Sequence, residues 1–320
     1  MNSNLRVVET ERDLRPSPSS LKAHAKEMER QARERESLKL GMPKVERLCQ
    51  PGSSRFWVLG GRPGDFKTVT AWNWALNLAL LGRRVLVVSL DMVPPRLALM
   101  ALARFSGLEH GRITLAFQRD GVPFSPEEQA RFDGALAKWH GLESRLAIHG
   151  GEEDGWGLRD VLSLVGRLTP EVVVVDHLQL LAHNSLDLLN ACLGGLWKLT
   201  MGKKYHPFVV AISTLNREID KDDGDDGPRM PRMSDLWGGA AIEHAADVVA
   251  ISRKQAKLGD ESPVSIVDLF VLKNRDGPFP AVIALEANGP TCCIAEKHAA
   301  GSAPPHWSAP DNTDEPGTKG

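Results

Sequence analysis

Four uninterrupted apolar runs set the pattern of this chain: RRVLVVSLDM at 83–92, VVVVDHLQLL at 172–181, FVVAIST at 208–214 and DVVAISR at 247–253. Strands that read as continuous hydrophobic stretches belong to a sheet whose two faces are both covered by helices. The spacing of apolar residues predicts a buried helix from Val69 to Leu81, ended by Gly82, and further helices around 95–107 and 125–140. SIVDLFVLKNR at 265–275 and AVIALEA at 281–287 read as a hairpin-like pair closing the sheet near its C-terminal edge. Strands alternating with helices predict an α/β fold with a three-layer, mainly parallel sheet.

The two ends of the chain have a different texture. Residues 1–40 are polar and carry both charge signs, and LKAHAKEMERQARERESLKL from Leu21 favours helix. Leu21, Ala25, Met28 and Ala32 line one narrow apolar stripe, too thin to form a core of its own. This arm is therefore expected either to be solvated or to dock on another surface, in this domain or a neighbouring subunit. The compact domain is expected to span 41–295, and the Ala-, Gly-, Ser-, Pro- and Asp-rich tail at 296–320 is expected to be disordered. IDKDDGDDGPRMPRM at 219–233 should be an exposed, mobile loop.

A formal net charge of −2 excludes a generally basic nucleic-acid coat and leaves room for a local basic track. Cys49, Cys192, Cys292 and Cys293 form no C-x-x-C pair, and no histidine is spaced to complete a zinc site. They read as reduced packing thiols, with Cys292 and Cys293 expected on opposite faces of one strand. No run resembles a signal peptide or approaches bilayer-spanning length, so a cytoplasmic location with no membrane partner is expected.

The stretch most directed at chemistry is WVLGGRPGDFKT at 57–68. An apolar strand enters a glycine-rich turn, the turn delivers Lys67-Thr68, and a helix follows. Backbone N–H groups in such a turn point at phosphate oxygens, the ammonium neutralises them and the hydroxyl takes Mg²⁺. Gly61, Arg62, Pro63, Gly64, Asp65, Phe66, Lys67 and Thr68 are the candidate nucleotide-binding residues, and the alternative is a surface turn that happens to contain Lys-Thr. Phe66 departs from the pattern, which places glycine before the lysine because glycine tolerates backbone angles that a β-carbon resists. Asp91 and Asp176 each end an apolar strand, where carboxylates organise the metal or the attacking water in nucleotide hydrolysis; either alone serves equally well as a turn or helix cap. Lys67, Asp91 and Asp176 converge if their strands are neighbours.

Beyond the loop, SLDM at 89–92, DHLQLL at 176–181, STLNRE at 213–218, SDLWGGAAIEHAADVV at 234–249 and LKNRDGP at 272–278 follow in order. Over residues 41–290 the chain resembles the RecA-type P-loop ATPase core of DnaB-like replicative helicases. The resemblance implies a RecA-like fold, ATP and Mg²⁺ as cofactors, and a homo-oligomeric ring, a hexamer, acting on single-stranded DNA with a replication initiator or loader as partner. It implies that Lys67 and Thr68 contact phosphates and Mg²⁺, that Asp176 holds the metal through water, and that Asp91 stands where the family keeps a glutamate base. Lys273 and Arg275 would reach the ATP site of the adjacent subunit, although alone they read as an exposed basic turn. No counterpart of the family's N-terminal helical domain is legible, so the helical arm at 21–38 is expected to serve as a linker that clips onto a neighbour.

Departures concentrate at the site: Phe66 replaces glycine, Asp91 shortens the base, Thr214 replaces a glutamine that senses the γ-phosphate, and Trp237 replaces an arginine. They put fast turnover in doubt and favour a second reading, a nucleotide-binding assembly switch or loading partner with little unwinding. The loops implied to face DNA are 182–187 and 219–233, where Lys221, Arg229 and Arg232 compete with Asp220, Asp222, Asp223, Asp225 and Asp226. Trp72 and Trp74 are expected to pack in the core, Trp156 and Trp237 lie in looser contexts, and His177 is expected to line the site or the core.

Overall fold

Strands β1 (Phe56–Gly61), β2 (Val85–Ser89), β3 (Leu146–His149), β4 (Val172–Asp176), β5 (Phe208–Thr214), β6 (Val248–Lys254), β7 (Val264–Asn274), β8 (Ala281–Asn288) and β9 (Cys293–Glu296) form one sheet in a computed structural model of the chain. The structure describes residues 22–27, 29–30, 38–53, 55–150, 155–202, 205–216, 229–255 and 262–297. Sheet order is β3-β2-β4-β5-β1-β6-β7-β8-β9, parallel from β3 to β6 and antiparallel from β6 onward. The β7–β8 pair is the expected closing hairpin, with Val264 opposite Asn288.

Alternation of side chains along each strand divides the core into two layers. Trp57, Leu59, Val85, Val87, Val172 and Val174 face one side, where they pack with helices α2 (Lys67–Leu80) and α3 (Pro94–Ser106); α1 (Pro43–Cys49) precedes β1 and buries Val45 and Cys49 in the same layer. Phe56, Val58, Leu86, Val88, Val173 and Val175 face the other, against α6 (Leu158–Leu168), α7 (Leu178–Leu181), α8 (Leu186–Thr200) and α9 (Gly239–Ala245). These two covered faces explain the continuous apolar runs, and they make the fold the expected three-layer RecA-like core. Trp72 and Trp74 are buried in the first layer as packing residues. Trp74 meets Trp57 edge to face at 5.8 Å, and Trp57 meets Phe208 in the same way at 5.1 Å, an arrangement that aromatic quadrupoles favour.

Three details differ from the sequence expectation. The strands of the phosphate loop and of Asp176 are not neighbours: β5 lies between β1 and β4 and brings Thr214 opposite Gly61. Cys292 sits in the β8–β9 turn at φ 54° rather than in a strand, and Cys293 opens β9. The helix predicted around 95–107 is α3, and a short α4 (His110–Ala116) follows it before α5 (Pro126–His140). Of the arm, residues 22–27 and 29–30 are helical, and the tail from 298 lies outside the described residues.

Gly150, after β3, has φ 111°, and a Cβ there would lie 2.3 Å from the Ser89 carbonyl oxygen at the end of β2. Left-handed strain and a backbone clash both oppose any side chain at this position. Gly150→Ala is expected to destabilise the protein by about 3 kcal/mol in urea unfolding.

Candidate nucleotide-binding site

The turn between β1 and α2 is built to be rigid. Asp65, nearly buried, accepts the Arg62 N–H at 2.9 Å with one carboxylate oxygen and the Lys254 N–H of β6 at 3.0 Å with the other. The sequence predicts Asp65 among the ligand contacts; its carboxylate instead braces the loop against the neighbouring strand. Gly64 takes φ 87°, a backbone conformation that glycine adopts freely, and a Cβ on Gly61 would meet the Ser252 hydroxyl at 2.9 Å, so one glycine answers conformation and the other crowding. Lys67 folds back and donates from Nζ to the Arg62 carbonyl at 3.3 Å, holding its ammonium inside the loop.

Phe66 occupies the cap position of α2 at φ 61° and ψ 16°, the left-handed conformation that glycine would adopt freely. Its ring packs against the first core layer and over Gly289. α2 therefore opens without a side-chain cap, leaving first-turn N–H groups available to an anion.

Across the crevice, the Thr68 hydroxyl donates to Asp176 Oδ2 at 2.8 Å. Asp176 is buried, and its Oδ1 has no hydrogen-bond partner among the described residues. Burial pushes this carboxyl up, and the Asp91 charge adds to the rise; the Thr68 hydrogen bond and the His177 and Lys67 charges oppose it without overcoming it. Ser89 is in register with Asp176, and the Leu90 N–H donates to the Asp176 carbonyl at 2.6 Å, so Asp91 lies exposed at the same sheet edge. Lys67, Thr68, Asp91 and Asp176 are thus gathered at the carboxyl ends of the parallel strands. A hydroxyl facing a carboxylate with one orphaned oxygen is a fitting donor set for hydrated Mg²⁺ on a triphosphate.

Gln179, not singled out from the sequence, supports this edge. Its side-chain oxygen accepts the Thr214 N–H at 3.2 Å, its amide donates to the Ser213 hydroxyl at 2.9 Å, and His177 Nδ1 lies 3.1 Å from that oxygen. A polar residue inside the apolar DHLQLL run was the available signal.

Lys273 and Arg275 stand elsewhere. Lys273 pairs with Val249 and Trp57 with Val248, which sets both cations beside the start of β1 while the loop leaves its end. Val58, level with Lys273 through Val249, is three strand steps from Gly61, roughly 10 Å at the usual rise of a strand, and Arg275 lies further along. Lys273 Nζ donates to the Glu243 and Ala246 carbonyls at the C-terminus of α9. Arg275 lies 3.3 Å from Asp247, whose other oxygen accepts the Arg55 and Phe56 N–H groups at 3.0 and 3.1 Å.

In the second implied DNA loop, residues 217–228, with Lys221 and the acidic cluster, lie outside the described residues. Arg229 is engaged by Asp235 through two contacts of 2.8 and 2.7 Å. Burial works to raise the Asp235 carboxyl, but hydrogen bonds from Arg229 and the Arg232 N–H hold it below the usual range. The Arg232 side chain is exposed. Trp237 packs on the second core layer and donates its backbone N–H to the Thr214 carbonyl at 3.1 Å, and Trp156 stacks on His149 at 6.4 Å.

The family model of the DnaB-like helicase C-terminal domain matches residues 39–289. The chain is 25% identical over 228 residues to a probable plasmid replicative DNA helicase of Chlamydia psittaci, covering 69% of this chain and 47% of that protein. It is 29% identical over 121 residues to the replicative DNA helicase DnaB of Leifsonia xyli subsp. xyli, covering 36% and 25% respectively. The chain spans about half the length, or less, of these curated relatives. Among solved structures, one ATPase domain superposes with TM-score 0.72 at 22% identity, over 88% of this chain and 98% of that one. A DnaB-like replicative helicase studied with its primase superposes with TM-score 0.69 at 21% identity, over 82% and 63%. At these identities the structural likeness establishes the fold.

Proposed function

The chain belongs to the DnaB-like helicase C-terminal domain family, and on that premise we propose that it is an ATP-driven motor on single-stranded DNA, working as a homohexameric ring with ATP sites between subunits. The observation that carries the proposal is the division of the matched cations: Lys67 in the loop, Lys273 and Arg275 at the other end of the strands. A site that needs both sets is completed only by a second copy of the chain, and a head-to-tail ring supplies one at every interface.

In that site Lys67 leaves the Arg62 carbonyl and neutralises phosphate oxygens, aided by the N–H groups at the open end of α2. Thr68 and Asp176 hold Mg²⁺, which when bound with ATP draws charge from the phosphate oxygens. Asp91 orients the attacking water and accepts its proton on a carboxylate oxygen. The neighbour's Arg275 and Lys273 then meet the charge that builds on the transferred group. In the second implied DNA loop Arg232 contacts the DNA backbone, while Arg229 shapes the loop through Asp235.

One feature favours a second reading, a nucleotide-dependent assembly switch. Thr214 stands opposite Gly61 with no amide to sense a γ-phosphate, and the side-chain amide of Gln179 beside it is already bonded to β5. Two measurements decide. A fluorescent ATP analogue is expected to bind wild type and to lose at least tenfold in affinity with Lys67→Ala. Single-stranded DNA is expected to raise hydrolysis, and hydrolysis indifferent to DNA would leave the switch.

A further inference from the structure

We infer that Gly289, on the turn joining β8 to β9, is a positioning residue for nucleotide binding, acting through Phe66; this rests on the nucleotide-binding reading above. The phosphate loop ends on a residue forced into the left-handed region without being glycine, so something outside the loop must hold it there. The ring does so. Apart from Gly289's own chain neighbours, the atoms of described residues within 4 Å of a Cβ built on Gly289 are Phe66 Cε1, at 3.7 Å, and Phe66 Cζ, at 3.8 Å. The Phe66 ring lies over the turn at Gly289, with room between them for a methyl group.

The turn itself is fixed to the elements around the loop. The Asn73 amide of α2 donates to the Cys292 carbonyl at 2.9 Å, and the His110 N–H of α4 donates to the Pro290 carbonyl at 2.8 Å. The Thr291 N–H closes the turn onto Asn288 Oδ1 at 3.1 Å. The ring that stands where the pattern places a glycine is thus seated against a small residue far along the chain. Displacing the ring would rotate the peptide that delivers Lys67 and the first N–H groups of α2 toward the phosphates.

The distances grade the test. A methyl group at 3.7 Å is in ordinary contact, so Gly289→Ala should bind the fluorescent ATP analogue within twofold of wild type. Gly289→Leu adds atoms beyond that contact and should lose tenfold or more. Phe66→Gly removes ring and strain together and sets the reference affinity, expected to exceed that of Gly289→Leu by at least threefold. The deciding variant is Phe66→Gly with Gly289→Leu, which should bind like Phe66→Gly alone. A double variant as weak as Gly289→Leu, or a Gly289→Leu protein that binds like wild type, overturns the inference. Folding is followed by circular dichroism: if Gly289→Leu fails to fold while the double variant folds, the ring is what the leucine meets and the inference stands. If both fail to fold, the leucine meets something else and the inference falls. A wild-type protein that binds no nucleotide brings down the functional reading itself, and with it this one.

Discussion

Asp176→Asn is expected to lower ATP hydrolysis by about two to three orders of magnitude, the usual cost of removing one preorganised charge at a reacting phosphate, while making the ligand-free protein more stable at neutral pH. Both effects trace to one buried carboxylate with an orphaned oxygen. Burial raises its pKa in the folded state above that in the unfolded chain. Its contribution to stability is therefore fully present below the ordinary carboxylate range and is lost as pH rises through the raised folded value. Asparagine stays neutral throughout. The variant should exceed wild type in urea unfolding at pH 7, and the difference should close as the solution is acidified below the ordinary carboxylate range. A variant less stable than wild type at pH 7 would show that the carboxylate is not under strain in the ligand-free protein.

The second large effect concerns assembly. Arg275→Ala is expected to cut hydrolysis by about three orders of magnitude, the range seen when an arginine supplied to a transferring phosphoryl group is removed, with nucleotide affinity nearly unchanged. Its pair with Asp247 is half exposed, and Asp247 keeps the Arg55 and Phe56 N–H groups, so folding should survive. Mixing this variant with Lys67→Ala gives the sharper result. Each protein is inactive alone, yet in a randomly mixed ring about a quarter of interfaces pair an intact Lys67 with an intact Arg275. Hydrolysis should reappear on mixing, with a maximum near equal proportions. No recovery at any ratio, in a preparation shown by light scattering to form mixed rings, would place both residues in one subunit's chemistry or in none.

What could be read from the chain without coordinates followed a physical divide. β2, β4, β5 and β6 were legible because burial on both faces writes itself as unbroken Val, Leu and Ile. The β1–turn–α2 unit was legible because phosphate binding constrains neighbours in sequence. β3 was not, because it is four residues long and LAIH is half-buried along its length, and β9 was legible only as the strand expected to hold Cys292 and Cys293. The insertion of β5 between β1 and β4 was equally hidden, since strand order depends on pairings between distant segments that leave no local pattern. At the site, Lys67, Thr68, Asp91 and Asp176 are gathered at one sheet edge, whereas Asp65 is a brace and Arg229 a partner of Asp235. Phe66 is the instructive failure of a local rule. Judged within its own turn it looks like damage, yet its ring packs on the first core layer and against the turn of the last hairpin, contacts that no local pattern announces.

The edge-to-face contact of Trp57 and Trp74 joins the strand that enters the phosphate loop to the helix that leaves it. It works as a hinge pin. With both posts pinned, rearrangement on ligand entry is expected to fall on the five residues from Arg62 to Phe66, which lie between them.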